Sequence, residues 1–438
     1  ALRASDVSDA SSGCAPIDTR LDAVVRTLPI REVLHQCLDT LRDGTSLVLQ
    51  APPGAGKTTT LPLAMLLSRP IWLGNGGSIL VLEPRRLAAR AAAIRMAEIL
   101  GERVGETVGY RVRFDRKVSG ETRIEVVTEG ILARRLQLDP GLDGVAAVVF
   151  DEFHERSLDA DLCLALCTDV RKTLRPDLRL VVMSATLGDV GPKTAALLGS
   201  REAGVGDDKS KTVSTPAPLI ASEGRAFPVR TEYIGAPGKG RFELENATCA
   251  AVRRALDEHP GSDGGDILVF LPGAREIDDV VRALRTNETR ALVKPENVLP
   301  LHGSLPKEAQ QKALCLAPKG ERRIVVSTPI AESSLTISGV RVVVDSGLRK
   351  VPRFDPRKGM TRLDTQRVSV ASADQRRGRA GRVAPGTCYR MWSEQTHAAL
   401  PSDTAPEIMN ADLAPLALHL ANWGGGALLQ VRIAFPKS

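Results

Sequence analysis

Residues 45–58, TSLVLQAPPGAGKT, set an apolar run of strand length against a glycine-bearing loop that ends in Lys57 and Thr58. Thr45–Gln50 reads as a strand and the residues after Thr58 read as a helix, so the loop joins the end of one to the start of the other. That is the setting of a phosphate loop, here with Ala51 in place of the first glycine. Pro53, Gly54, Ala55, Gly56, Lys57, Thr58 and Thr59 are the candidate contacts. Their backbone N–H groups and the helix N-terminus suit an anion, Lys57 suits the β and γ oxygens, and the Thr58 hydroxyl suits Mg2+.

Working outward, the same grammar repeats. Ser78–Leu82, Arg123–Val127, Val145–Phe150 and Leu178–Met183 read as strands in the first half. Asp266–Leu271, Arg323–Val326, Val340–Val344 and Thr387–Met391 do so in the second. Their Val, Ile and Leu runs are continuous rather than alternating, the pattern of strands covered on both faces. Helical stretches such as Arg85–Leu100, Leu158–Thr173 and Glu243–Glu258 separate them. The expected class is α/β, with two doubly wound parallel-sheet domains whose chemistry lies at the carboxyl ends of the strands.

The polar residues fall at those ends. Val145–Phe150 runs into Asp151-Glu-Phe-His154, which makes Asp151 a second candidate Mg2+ ligand and Glu152 a candidate base, also within reach of the metal. Ser184-Ala-Thr186 ends the next strand. In the second half, Gln375-Arg-Arg-Gly-Arg-Ala-Gly-Arg382 packs four arginines into eight residues, a composition made for several anionic oxygens. Alone it fits a nucleic-acid loop. Together with a phosphate loop upstream, it predicts a nucleotide site closed between two lobes.

Charge sharpens this. The chain nets +7, and residues 349–390 hold twelve Lys or Arg against Asp355, Asp364 and Asp374, leaving the remainder slightly acidic. A focused basic patch points to phosphate or a polyanion. Aromatics, at 3%, are too few for base-stacking platforms. No apolar run reaches bilayer-spanning length. The seven scattered cysteines (14, 37, 163, 167, 249, 315 and 388) show no zinc spacing and read as reduced thiols. Val351–Val370 reads as a basic hairpin around Asp355-Pro-Arg-Lys-Gly359. The chain begins without Met and reads as a fragment or processed product.

Taken in order, these stretches resemble the motifs of superfamily 2 helicases. Residues 51–58, Glu83-Pro-Arg-Arg-Leu-Ala-Ala89, Thr128-Glu-Gly130, Asp151–His154 and Ser184–Thr186 match motifs I, Ia, Ib, II and III. Phe270-Leu-Pro-Gly273, Ser327–Ile337 (STPIAESSLTI) and Gln375–Arg382 match IV, V and VI. The set is similar to the DEAH/RHA group, and Asp-Glu-Phe-His with Leu301-His-Gly-Ser-Leu-Pro306 points to its bacterial HrpB-type branch. Resemblance covers about residues 30–423.

The resemblance implies two RecA-like domains and ATP, or another NTP, with Mg2+. Lys57, Asp151, Glu152, Gln375, Arg379 and Arg382 are the implied catalytic set. Arg95 is the implied base-side contact with Leu314 where relatives carry an aromatic, and Thr336 lies near the nucleotide. His154, Ser184, Thr186 and Ser334 couple nucleotide state to the strand, which Arg85, Arg86, Thr128 and Thr328 hold by its backbone. Pro329 replaces a usual Asn, and Ser338 a common Asp. The implied activity is RNA-stimulated NTP hydrolysis driving 3′ to 5′ movement or unwinding; an ATP-dependent RNA clamp or remodeller is the alternative. Implied partners are single-stranded RNA and an activating protein, for a monomer without membrane contact, cytoplasmic in a bacterium or organellar in a eukaryote. The expected layout is a disordered extension (1–27), first domain (28–198), linker or insertion (199–226), second domain (227–392) and the truncated start of a winged-helix domain (393–438). With the accessory domains cut short, weak RNA affinity is expected.

Overall fold

The computed structural model describes residues 19–26, 28–186, 188, 190–203, 212–224, 227–238, 240–286, 292–318, 320–332 and 337–424. The first lobe opens with α1 (Thr19–Val25), α2 (Arg31–Asp43), β1 (Ser46–Gln50) and α3 (Lys57–Leu67). It continues through β2 (Ser78–Glu83), α4 (Arg86–Leu100), the hairpin β3 (Val108–Val112) and β4 (Asp115–Lys117), and β5 (Ile124–Thr128). Then come α5 (Glu129–Leu138), β6 (Val145–Phe150), α6 (Leu158–Thr173), β7 (Arg179–Ser184) and α7 (Val190–Leu198). A short pair, β8 (Ser200–Ala203) and β9 (Thr212–Thr215), precedes β10 (Leu219–Ala221).

The first sheet runs β10-β1-β7-β6-β2-β5-β3-β4, parallel except at the β3–β4 hairpin. Val145, Val148 and Phe150 face one hydrophobic core, with α5 and α6, while Ala147 and Val149 face the other, with α2, α3 and α4. Burial on both faces explains why the strand sequence is continuous rather than alternating. Register pairs Gln50 with Ser184, Phe150 with Leu82 and Val182, and Glu83 with Thr128. The motif-bearing ends therefore share one rim.

The second lobe holds β11 (Val229–Tyr233), α8 (Arg241–Glu258), β12 (Asp266–Phe270), α9 (Ala274–Leu284), β13 (Val298–Leu301), α10 (Lys307–Leu314) and β14 (Ile324–Ser327). β15 (Val340–Asp345) leads to a hairpin of β16 (Leu348–Asp355) and β17 (Met360–Arg367), then α11 (Val370–Gly378) and β18 (Gly386–Arg390). Its sheet, β11-β18-β15-β12-β14-β13, is parallel throughout. The β16–β17 hairpin forms its own two-stranded sheet and exposes Arg353, Arg357, Lys358, Arg362 and Arg367.

Two expectations change. Thr19–Val25 is helical, not disordered, because Leu21 and Val25 lie one turn apart and are buried in the first lobe's core. Residues 1–18 lie outside the described chain. The 199–226 stretch is more than a linker: Leu219–Ala221 pairs in parallel with β1 and extends the first sheet. Three residues between prolines and serines give no periodicity to read; only the neighbouring strand makes them a strand.

The chain then returns to the first lobe. After α12 (Glu394–Ala398), Glu407 N donates to Arg156 O (3.0 Å), and its carboxylate accepts from Leu158 N (2.9 Å). α13 (Ala414–Gly424) buries Leu420 among first-lobe residues, and Trp423 Nε1 donates to Asp169 (3.0 Å). No helix among the described residues is long and apolar enough to cross a membrane.

Candidate active site between the lobes

The phosphate loop is shaped by two glycines in the left-handed region, Gly54 (φ 88°) and Gly56 (φ 90°). A Cβ on Gly56 would press on Leu28 Cδ1 at 2.7 Å, and the left-handed backbone there strains any residue with a side chain. Ala51 N donates to Ser184 O (2.9 Å), tying the loop's entry to the end of β7. α3 starts at Lys57, aiming unpaired first-turn amides into the loop.

Lys57 is buried, with Nζ 2.8 Å from Glu152 Oε1 and 3.6 Å from Asp151 Oδ1. Burial pushes its pKa down, but the two carboxylates outweigh it and hold the ammonium above the ordinary lysine range. Thr58 Oγ1 donates to Asp151 Oδ2. Burial raises Glu152, yet Lys57, His154 and Arg379 more than reverse this and bring it to about 2. Asp151 moves the other way, raised chiefly by burial. Glu152 itself adopts a left-handed backbone (φ 51°), uncommon for a residue with a side chain. The turn throws Phe153–Glu155 back under the rim and sets His154 Nδ1 3.4 Å from Glu152 Oε2.

The second lobe closes over this rim. A Cβ on Gly54 would lie 3.7 Å from Arg382 Nε, so the last arginine of the cluster rests against the phosphate loop. Arg379 is buried and donates through Nε to Glu332 O (3.0 Å). Desolvation and then neighbouring Arg382 push Arg379 well down, and desolvation takes Arg382 to about 10. Gln375 is buried, and its Nε2 has no hydrogen-bond partner among the described residues. It lines a cavity of about 200 Å³ shared with His154, Thr186, Arg85 and Glu332.

The remaining expected residues divide. Ser184 is buried and donates to Thr186 O. Thr128 ends β5 and precedes α5, Thr328 follows β14 and precedes the Pro329–Ala331 turn, and Arg86 opens α4 on the surface. Arg85 is turned into the lobe interface, where it donates to Pro329 O (2.8 Å) and pairs with Glu155 (3.1 Å). Arg95 lies on the exposed side of α4 beside Glu98 (3.2 Å), while Leu314 packs on the second lobe's core. Ser334 and Thr336 lie outside the described residues.

Three participants escape a reading of spacing alone. Glu83, at the end of β2, is buried behind Asp151 and Glu152, and burial with those two charges pushes its carboxyl well up. Arg376, fully buried, pairs with Glu332 (2.9 Å) and Asp345 (2.8 Å). Lys307 reaches across the cleft to Asp115 (2.9 Å), which also holds Arg90 (2.9 Å). Only Glu83 carried a signal, as an acid closing an otherwise apolar strand.

The residues fit a nucleotide and its metal. The glycine cradle and the Gln375 amide leave polar groups at the cleft, and Glu152 Oε2, 3.4 Å from His154 Nδ1, has no hydrogen-bond partner among the described residues. Thr58 and Asp151 offer the hydroxyl and carboxylate that Mg2+ takes when phosphate supplies the rest. Two parallel-sheet lobes with a phosphate loop on one rim and arginines on the other define the two-lobed nucleotide-site architecture of the helicase class.

Comparison with known proteins narrows the class. The DEAD/DEAH box helicase family matches residues 31–193, and the helicase conserved C-terminal domain matches 250–384. ATP-dependent RNA helicase HrpB of Escherichia coli is 44% identical over 398 residues, covering 91% of this chain and 45% of that protein. The probable ATP-dependent RNA helicase DHR2 of Saccharomyces cerevisiae is 37% identical over 412 residues, covering 92% and 52%. The crystal structure of the E. coli DEAH/RHA helicase HrpB superposes with a TM-score of 0.77 at 43% identity, covering 91% of this chain and 47% of that one. The chain belongs to the DEAH/RHA helicases and comprises their paired RecA-like domains. It spans about half the length of the curated relatives it matches.

Proposed function

We propose that this chain is the motor of an ATP-dependent RNA helicase, hydrolysing ATP between its lobes in step with its grip on single-stranded RNA. The seating of Arg382 on the phosphate loop, with Arg379 and Gln375 beside it, carries the reading. Lys57 is the cation for the phosphate oxygens, and Thr58 and Asp151 would hold Mg2+, which would screen phosphate charge. Glu152 takes the proton of the attacking water. With Lys57 on it, Glu152 is a poor base; once Lys57 turns to phosphate, the cation that depresses it is gone and its basicity rises. Arg379 and Arg382 reach the cleft against a desolvation cost, so charge developing on phosphate is a better partner than the ligand-free protein provides. Gln375 positions the water through its unsatisfied amide.

RNA runs along the rim formed by Arg86, Thr128 and Thr328, whose contacts position a backbone without reading bases. The exposed arginines of the β16–β17 hairpin lie on the same lobe as the motif VI arginines. The protein acts as a monomer, and an activating protein is the natural source of further RNA grip.

Steady-state ATP hydrolysis with and without single-stranded RNA, in the wild type and Arg379→Ala, tests this. RNA should raise the rate, and Arg379→Ala should lower the stimulated rate about 10³-fold or more. Hydrolysis indifferent to RNA, or untouched by the substitution, overturns it. Hydrolysis without displacement of a tailed duplex would assign a clamp instead.

A further inference from the structure

The turn that follows β14, Pro329–Ala331, and the next residue, Glu332, carry two carbonyls that receive arginines from opposite sides of the molecule. Pro329 O accepts from Arg85 of the first lobe (2.8 Å). Glu332 O accepts from Arg379 Nε of motif VI (3.0 Å) and from the Arg379 terminal nitrogen as well. The Glu332 side chain is itself clamped. Ser372 Oγ donates to Oε1 (2.5 Å) and Arg376 Nε to Oε2 (2.9 Å), while Arg376 is anchored on Asp345 (2.8 Å) and lies over the Phe270 ring (5.0 Å). A short, doubly fixed carboxylate thus holds the backbone on which Arg379 rests.

We propose that Glu332 is a positioning residue for the reaction: its clamped carboxylate fixes the carbonyl that aims Arg379, and the same turn takes Arg85 from the other lobe, so one element sets arginine placement and lobe contact together. This rests on the reading of Arg379 as the residue that meets phosphate. Glu332 touches no phosphate; it acts through Arg379. A carboxylate is needed because two donors converge on it, one on each oxygen, and an amide offers only one acceptor. The connection to Arg85 gives a route by which nucleic-acid contact near motif Ia alters the placement of Arg379, since a shift of the turn moves both arginines.

The test compares RNA-stimulated hydrolysis in the wild type, Glu332→Gln, Ser372→Ala, Arg379→Ala and the double variant Glu332→Gln/Arg379→Ala. Glu332→Gln should lower kcat about 10-fold with little change in KM for ATP, the mark of an interaction made in the transition state. Ser372→Ala, which removes one donor and leaves the charge pairs, should lower kcat by about 2–5-fold. The double variant should be no slower than Arg379→Ala alone, because the two residues act as one unit. Full kcat in Glu332→Gln, or a multiplied loss in the double variant, overturns the proposal.

A second readout does not depend on turnover. The Nε–H proton of Arg379, assigned by its disappearance in Arg379→Ala, should exchange slowly with solvent in the wild type and quickly in Glu332→Gln. Unchanged exchange overturns the role of Glu332. A wild type without hydrolysis but with the expected change in exchange overturns the helicase reading and upholds the positioning role.

Discussion

Lys57 and Arg379 face each other across one cleft, and their surroundings differ in kind. Lys57 has two carboxylates of its own lobe within 3.6 Å, and its ammonium is stabilised where it stands. Arg379 is as deeply buried but is seated on a backbone carbonyl beside a second arginine, and its charge is disfavoured. The first lobe matches its cation with carboxylates of its own before substrate arrives. The second keeps two arginines buried side by side against a desolvation cost. One rim is built for stability and the other for reaction.

Removing each residue breaks or sharpens that contrast. Lys57→Ala leaves Asp151 and Glu152 buried without their cation and should cost about 3–5 kcal/mol at neutral pH, read by urea unfolding. Arg379→Ala should stay within about 1 kcal/mol of wild type. Equal losses would erase the comparison. Glu152 contributes its share above its unfolded value near 4.5 and loses it as pH falls through about 2, so the cost of Lys57→Ala should shrink in acid.

A smaller effect comes from Glu129, also in the first lobe but bonded to a hydroxyl, Ser157 Oγ (2.6 Å), rather than a cation. Burial raises its pKa from 4.5 to about 7. A carboxyl raised on folding lends stability below its unfolded value and withdraws it as pH climbs through the folded one. The melting temperature should therefore fall between pH 4.5 and 7, and Glu129→Gln should flatten that slope. An unchanged slope would remove Glu129 from the account. The smallest effect is expected from Lys307→Ala, which opens the exposed pair with Asp115 across the cleft. It should change stability by less than about 1 kcal/mol and vanish in high salt. A larger loss would mean that the lobes are held mainly at that edge.

Much of this was legible in the chain because it was local. Each strand that ends in a motif carries both signals within a dozen residues, and Val145–Phe150 and Leu158–Thr173 fall where the apolar pattern puts them. What stayed hidden depends on distant partners. Leu219–Ala221 becomes a strand only beside β1, and Arg376 becomes a buried anchor only where Glu332 and Asp345 meet it. The basic run of residues 349–390 looked like one patch. In three dimensions it separates into buried arginines at 376, 379 and 390 and a row of solvent-facing ones on the hairpin. Composition reports charge; burial decides what the charge can meet.

The return of the chain to the first lobe has a mechanical meaning. Glu407, Leu420 and Trp423 fasten the second lobe's C-terminal continuation to α6 and its neighbours, and the chain also passes from β10, ending at Ala221 in the first lobe, to β11, beginning at Val229 in the second. A body tethered once can swing and twist freely. Tethered twice, it can turn easily only about the line through both tethers, like a door on two hinges, which would confine any opening of the cleft to a single arc.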